Sequence, residues 1–70
     1  GKGMRIDGVS EDKPAQKAGL LKGDIVLQLG DSAILDMMSY MRALSVFDKG
    51  DTTTVVFKRG EEELTNSIVF

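Results

Sequence analysis

The chain contains no cysteine and no histidine. Without cysteine it can form no disulfide bond, and nothing in its composition indicates a redox compartment. Without either residue it lacks the usual ligands of zinc, so a structural zinc ion is close to excluded. The same absences remove every Ser-His and Cys-His pair, the usual basis of nucleophilic catalysis. We therefore expect no metal, no cofactor and no catalytic residue in this chain.

A strong net charge and a long apolar run are also absent. The formal net charge is −2 with both signs scattered, which argues against nucleic acid or an anionic membrane as partner. No run approaches the ~20 apolar residues that a membrane-spanning helix needs.

Seventy residues suffice for one small domain, residues 1–70. Because the first residue is Gly1 rather than methionine, we expect a fragment of a larger protein.

The most informative stretch is PAQKAGLLKGDIV, residues 14–26. Pro14 suits the first turn of a helix, where its missing N–H would have no partner anyway. Gly19 stands where a short helix would end in the left-handed conformation that glycine adopts at little cost. Residues 22–24 form a second turn, and an apolar run of strand length follows. The stretch predicts a short helix, a tight turn and a buried strand.

Taken together, the pattern PA-x-x-AGL-x-x-GD-x-V resembles the central signature of PDZ domains, especially those of bacterial exported proteases. The resemblance extends from Gly3 to about Phe70. It implies an α+β fold: a small, partly open β-barrel or sheet with one short and one longer helix. The implied strand order is that of bacterial, permuted PDZ domains, whose final strand completes the sheet from the C-terminal end.

The same resemblance implies a context for the domain. The overall pattern is most similar to C-terminal PDZ domains of secreted bacterial peptidases, with zinc aminopeptidases first and high-temperature-requirement or tail-specific proteases next. It therefore implies a periplasmic or secreted location and a catalytic domain elsewhere in the parent protein. These expectations rest on the resemblance alone.

Periodicity and turn residues predict the other elements. Val26, Leu27 and Leu29 are the expected core of the central strand. Lys13 is a poor helix cap, so Asp12 is expected to replace it. In the first half of the chain we predict a strand over 4–9, a polar connection over 10–13, a short helix from 14, a strand over 24–29 and a short edge strand over 32–34. In the second half we predict a helix from Asp36 to about 47 and antiparallel strands over 52–58 and 62–70. Leu64, Ile68 and Phe70 should lie on one face of the last strand.

The second predicted helix is too apolar for a helix with one buried face. Its apolar residues cover about 220° of the helix circumference, against the ~100° that one core-facing stripe needs. One stripe should therefore face the core and the other a partner. In PDZ domains this helix forms one wall of the peptide groove, opposite a strand edge to which an extended peptide adds. The resemblance places four residues in that groove: Met37, Met38, Met41 and Leu44.

The carboxylate-binding loop of the family, an apolar-Gly-apolar stretch before the groove strand, has no clear counterpart. Gly3 stands only eleven positions before Pro14, a distance that matches the strand after the groove strand. We therefore expect the chain to lack both the loop and the groove strand. Two consequences are predicted: weak or absent peptide affinity, and association of the exposed stripe with a neighbour such as a second copy.

The leading functional hypothesis is a non-catalytic module that binds a peptide or protein C-terminus, apolar in character, for an exported bacterial protease or aminopeptidase. The extended ligand would lie between helix 36–47 and a sheet edge. The alternative is a structural domain that packs on its parent catalytic domain or self-associates without binding peptide. In that case the methionines would be core fillers or dimer contacts.

Overall fold

The computed structural model describes residues 3–8 and 14–70. The first strand, predicted over 4–9, is wrong at residues 6–8: they lie outside any strand, because Ile6 bonds to the turn residues Gly23 and Asp24. Predictions for Val9, the connection over 10–13 and the cap at Asp12 lie outside the described residues. The α+β class and the predicted order of elements are confirmed. The elements are β1 (Met4–Arg5), α1 (Pro14–Lys17), β2 (Ile25–Leu29), β3 (Ser32–Ala33), α2 (Met37–Leu44), β4 (Thr52–Arg59) and β5 (Glu62–Val69).

The strands form one antiparallel sheet in the order β1-β2-β4-β5, with β3 beside β1 on the same edge of β2. Met4 lies opposite Val26 and Ala33 lies opposite Gln28, so β1 and β3 cover different halves of β2. Within residues 3–8 and 14–70, no strand pairs with the outer edge of β1. Unpaired backbone groups of this kind can accept an additional strand.

A bulge in β2 decides which of its side chains are buried. The pairing with β4 shifts register between Val26 and Gln28. Because one extra residue is inserted there, Val26 and Leu29 face the same side although they are three positions apart. Both have 0% exposure, whereas Leu27 is only half-buried. The prediction of Leu27 as a core residue is therefore wrong, and the bulge is the reason.

The short helix α1 is followed by the predicted left-handed glycine, Gly19, with φ of 88°. Side chains of the β4–β5 hairpin bind the carbonyls at this helix end. Asn66 Nδ2 donates to the Ala18 carbonyl at 2.7 Å, and Arg59 Nη2 donates to the Gly19 carbonyl at 3.0 Å. Leu20 folds back into the core with 1% exposure. These contacts satisfy carbonyls that a helix end leaves unpaired and join the turn to the hairpin.

A buried carboxylate, Asp24, adds to the contacts between this turn and the β4–β5 hairpin, and it is 2% exposed. Its oxygens accept hydrogen bonds from Arg59 Nε at 2.9 Å and Arg59 Nη2 at 2.8 Å, and from the Leu21 N–H at 2.8 Å. The Arg59 hydrogen bonds are the largest cause of a lowered pKa for Asp24, and burial opposes them. The ion pair links the turn before β2 to the end of β4.

This lowered pKa makes the stability of the domain depend on acid pH. Because folding depresses the pKa below its ordinary value of 3.8, the unfolded chain binds the proton more readily. The contribution is therefore complete above that value and declines as the pH falls through the folded-state pKa. In urea denaturation, the free energy of unfolding should drop below about pH 4 in the native chain and less steeply in Asp24→Asn. If the free energy of unfolding falls equally with pH in the two chains, Asp24 does not cause the acid dependence.

Helix α2 begins at a capping box. Asp36 Oδ1 accepts the Ser39 N–H at 2.8 Å, and Ser39 Oγ accepts the Asp36 N–H at 3.0 Å. The helix ends at Leu44 rather than near 47 as predicted. The next N–H groups, of Val46 and Phe47, donate to carbonyls three residues back, so the chain tightens and leaves α-helical geometry.

Removing the cap should destabilise the domain modestly. Asp36→Ala leaves the Ser39 N–H without its carboxylate partner, and the melting temperature should fall by about 5 °C. Asp36→Asn is the matched control, since asparagine is an equally good cap, and should stay close to the native chain. Differential scanning calorimetry measures both. Equal melting temperatures for Asp36→Ala and Asp36→Asn would show that the capping box does not stabilise α2.

Candidate functional site

Helix α2 divides its apolar residues between two faces. Ala43 is 5% exposed, and Tyr40, Leu44 and Phe47 pack against the buried core. The Phe47 ring stacks on Phe70, with centroids 4.8 Å apart and planes 12° apart. This face therefore supplies the one apolar stripe that the helix needs to pack on the core.

The methionines occupy the other face. Met37, Met38 and Met41 are 65%, 72% and 60% exposed, and with Arg42 they line a shallow surface cavity of about 500 Å³. We call Met37, Met38 and Met41 the methionine surface. Three of the four predicted groove residues thus lie together. The fourth, Leu44, is half-buried against the core.

The site has little capacity for acid–base or metal chemistry. Its one charged lining residue is Arg42, which can accept an anionic group of a ligand but cannot transfer a proton near neutral pH. The Asp36 carboxyl at the start of α2 has a lowered pKa because the Ser39 backbone N–H and side chain bind it. In the described part of the chain, no three acidic residues converge on a possible metal position. The arrangement offers apolar contact.

At the edge of the sheet, Gly3 lies against β2. A Cβ atom at this position would meet Ile25 Cγ2 at 2.5 Å and the Val26 carbonyl oxygen at 2.9 Å, and φ is 102°. This close approach shows that Gly3 packs on the central strand beside β1. The structure places Met4–Arg5 in β1, and the lack of a carboxylate loop stays a prediction.

A second cavity, of about 440 Å³, was not predicted from the sequence. It lies between β3 and α2, and Arg42 lines both cavities. Val46, one of its lining residues, is 70% exposed; the sequence placed Val46 inside the predicted helix, so it gave no signal of a cavity. The lining residues are Ser32, Ala33, Ser39, Arg42, Ala43 and Val46.

A sequence profile of the PDZ domain matches residues 1–69. The chain belongs to the PDZ family. Such domains are generally non-catalytic. The chain is 32% identical over 66 residues to serine protease HTRA1 of Xenopus tropicalis, covering 94% of the chain but only 14% of that protein. The PDZ domain is thus related to those of HtrA serine proteases and spans a small part of the relative's length.

Solved structures show the same fold. The HtrA3 PDZ domain, determined with a phage-derived ligand of sequence FGRWV, superimposes with a TM-score of 0.81 at 22% identity, over 97% of this chain and 59% of that one. The PDZ domain of an SdrC-like protein from Listeria monocytogenes gives 0.82 at 22% identity, over 99% and 72%. In the described part of this PDZ domain, neither helix has the length and apolar content needed to span a bilayer.

Proposed function

We propose that this PDZ domain is a non-catalytic module that binds extended peptides with an apolar end, on the methionine surface and along the open edge of β1. One observation carries the proposal. Three large apolar side chains on one helix face are each at least 60% exposed although the opposite face already fills the core. A small domain gains nothing by exposing them unless a partner covers them.

The physical properties of the surface define the ligand. Burying an exposed methionine side chain is favourable by about 1.5–3 kcal/mol, so covering even half of this surface supports measurable binding. Thioether side chains are flexible and polarisable, which favours tolerance of several apolar residues over recognition of one. Arg42 at the margin of the surface can bind a carboxylate of the same ligand.

The backbone of the ligand would pair with β1. An extended peptide that adds to the sheet satisfies unpaired backbone groups while alternate side chains reach the helix. Because we expect no carboxylate loop in this chain, affinity should rest mainly on these contacts and should be weak. A peptide acid should then bind only slightly more tightly than its amide, through the exposed Arg42.

Methionine-methyl NMR tests the proposal, because the chain has only four methionines. The ¹³C-methyl signals are followed during titration with the FGRWV acid and, separately, its C-terminal amide. We expect shifts of the Met37, Met38 and Met41 signals at peptide concentrations of about 0.1–1 mM. No shift at these concentrations would contradict peptide binding. Nanomolar binding of the acid alone would contradict the predicted lack of a carboxylate loop.

For the parent protein we propose an exported protease of the HtrA type, on the strength of the 32% identity to HTRA1. The zinc aminopeptidase parent stays a prediction, as does the periplasmic or secreted location. The test is peptide hydrolysis by the intact parent protein with and without FGRWV. Inhibition by a serine-directed reagent supports the HtrA type, whereas inhibition by a zinc chelator supports the aminopeptidase.

Self-association is the second candidate, favoured by the same exposed surface and open strand edge. Two copies could cover each other's methionine surfaces or pair through β1. Sedimentation equilibrium from micromolar to millimolar concentration, with and without excess FGRWV, separates the two functions. A dimer that persists in excess peptide supports the structural role, and a monomer that binds peptide supports the module.

A further inference from the structure

Every sulfur atom of this chain belongs to a methionine, and three of the four lie on one exposed helix face. The fourth, Met4, is half-buried and packs against the core. No cysteine is present to react first with an oxidant. The most accessible oxidisable groups of the domain are therefore also the groups that form the methionine surface.

We propose that Met37, Met38 and Met41 form a modification site at which hydrogen peroxide switches off peptide binding. This inference rests on the proposed peptide-binding function. A thioether lone pair attacks one peroxide oxygen, the O–O bond breaks, and the sulfur–oxygen bond of a sulfoxide forms as water leaves. The sulfur loses two electrons and the peroxide gains them. Methionine sulfoxide reductases, which draw electrons from thiols, reverse the change.

The position of the three sulfurs makes oxidation act on binding and not on folding. A sulfoxide is a strong hydrogen-bond acceptor, and covering it with an apolar ligand removes its water without replacement. The core-facing side of α2 contains no methionine, since Tyr40, Ala43 and Leu44 form it. Oxidation therefore changes the outer face while the packing that holds the helix stays intact.

Exposure also sets the order of reaction. Oxidation of methionine follows access of the oxidant to the sulfur. Side chains that are 60–72% exposed should react before Met4, whose neighbours in the core shield it. The domain should therefore pass through a species that carries sulfoxides only on α2.

The experiment treats the full 70-residue chain with hydrogen peroxide, removes the peroxide with catalase, and measures FGRWV affinity and the four ¹³C-methyl signals. We expect the three α2 signals to move to sulfoxide positions several-fold faster than Met4. The apparent Kd should rise about tenfold or more, with an unchanged circular dichroism spectrum, and a sulfoxide reductase should restore it.

Two variants locate the effect. Met4→Leu should retain full sensitivity to peroxide. In Met37→Leu/Met38→Leu/Met41→Leu, the ratio of affinities before and after treatment should approach one, whatever the starting affinity. If the untreated chain does not bind FGRWV, the proposed function fails and this inference with it. If it binds FGRWV equally before and after oxidation, or if Met4 reacts as fast as the α2 methionines, only this inference is overturned.

Discussion

Replacing Arg59 with methionine will lower the melting temperature of the PDZ domain by about 10–20 °C. The substitution removes both guanidinium hydrogen bonds to Asp24. Among the described residues, the Leu21 N–H is then the remaining partner of that 2%-exposed carboxylate. An incompletely paired buried Asp24 carboxylate costs about 2–3 kcal/mol. We expect less than for a fully buried pair, because the Arg59 side chain is 42% exposed and water partly screens the interaction.

A double-mutant cycle distinguishes this cause from loss of general packing. Asp24→Asn removes the charge, so adding Arg59→Met to it should cost clearly less than Arg59→Met alone. Lys58→Met, at the neighbouring exposed position, is the matched control and should leave the melting temperature nearly unchanged. Equal melting temperatures for Arg59→Met and Lys58→Met, measured by calorimetry, would refute a stabilising role for the ion pair.

Met37→Glu will weaken FGRWV binding by about tenfold or more without destabilising the domain. A carboxylate at this position must lose its water when an apolar ligand covers it. Met37 is 65% exposed and is the first residue of α2, whose first turn contains no acidic residue. Because a negative charge in the first turn of a helix is favourable, the melting temperature should stay constant or rise.

Opposite signs for affinity and stability make this variant informative. Val69→Glu places the same charge on β5, at a 49%-exposed position outside the methionine surface, and should leave affinity unchanged. Fluorescence anisotropy with labelled FGRWV gives both affinities. If the two variants lose affinity equally, the effect is one of net charge and the methionine surface is not the binding site.

The sequence predicted the structural features that depend on neighbouring residues. The turn at Gly19 and the start of the second helix at Asp36 are local, so neighbouring residue types suffice to predict them. The apolar excess of the second helix also sufficed to predict two faces, and the structure separates Met37, Met38 and Met41 from the core-facing residues.

Features that depend on distant partners were missed. Asp24 was interpreted only as a turn residue, because its partner Arg59 lies thirty-five positions later in the chain. The bulge in β2 arises from pairing with β4 and buries Val26 and Leu29 instead of Leu27. Arg42 beside the methionine surface and the cavity next to β3 were also missed, since both depend on how α2 lies relative to the sheet.

The proposed function requires that the methionine surface contact the apolar end of a peptide. Intermolecular nuclear Overhauser effects between the C-terminal valine methyls of FGRWV and the methionine methyls of this domain test it directly. We predict cross-peaks to Met37, Met38 and Met41 and none to Val69. Bound peptide whose valine contacts Val69 or the β5 edge, and none of the three α2 methionines, would contradict the account.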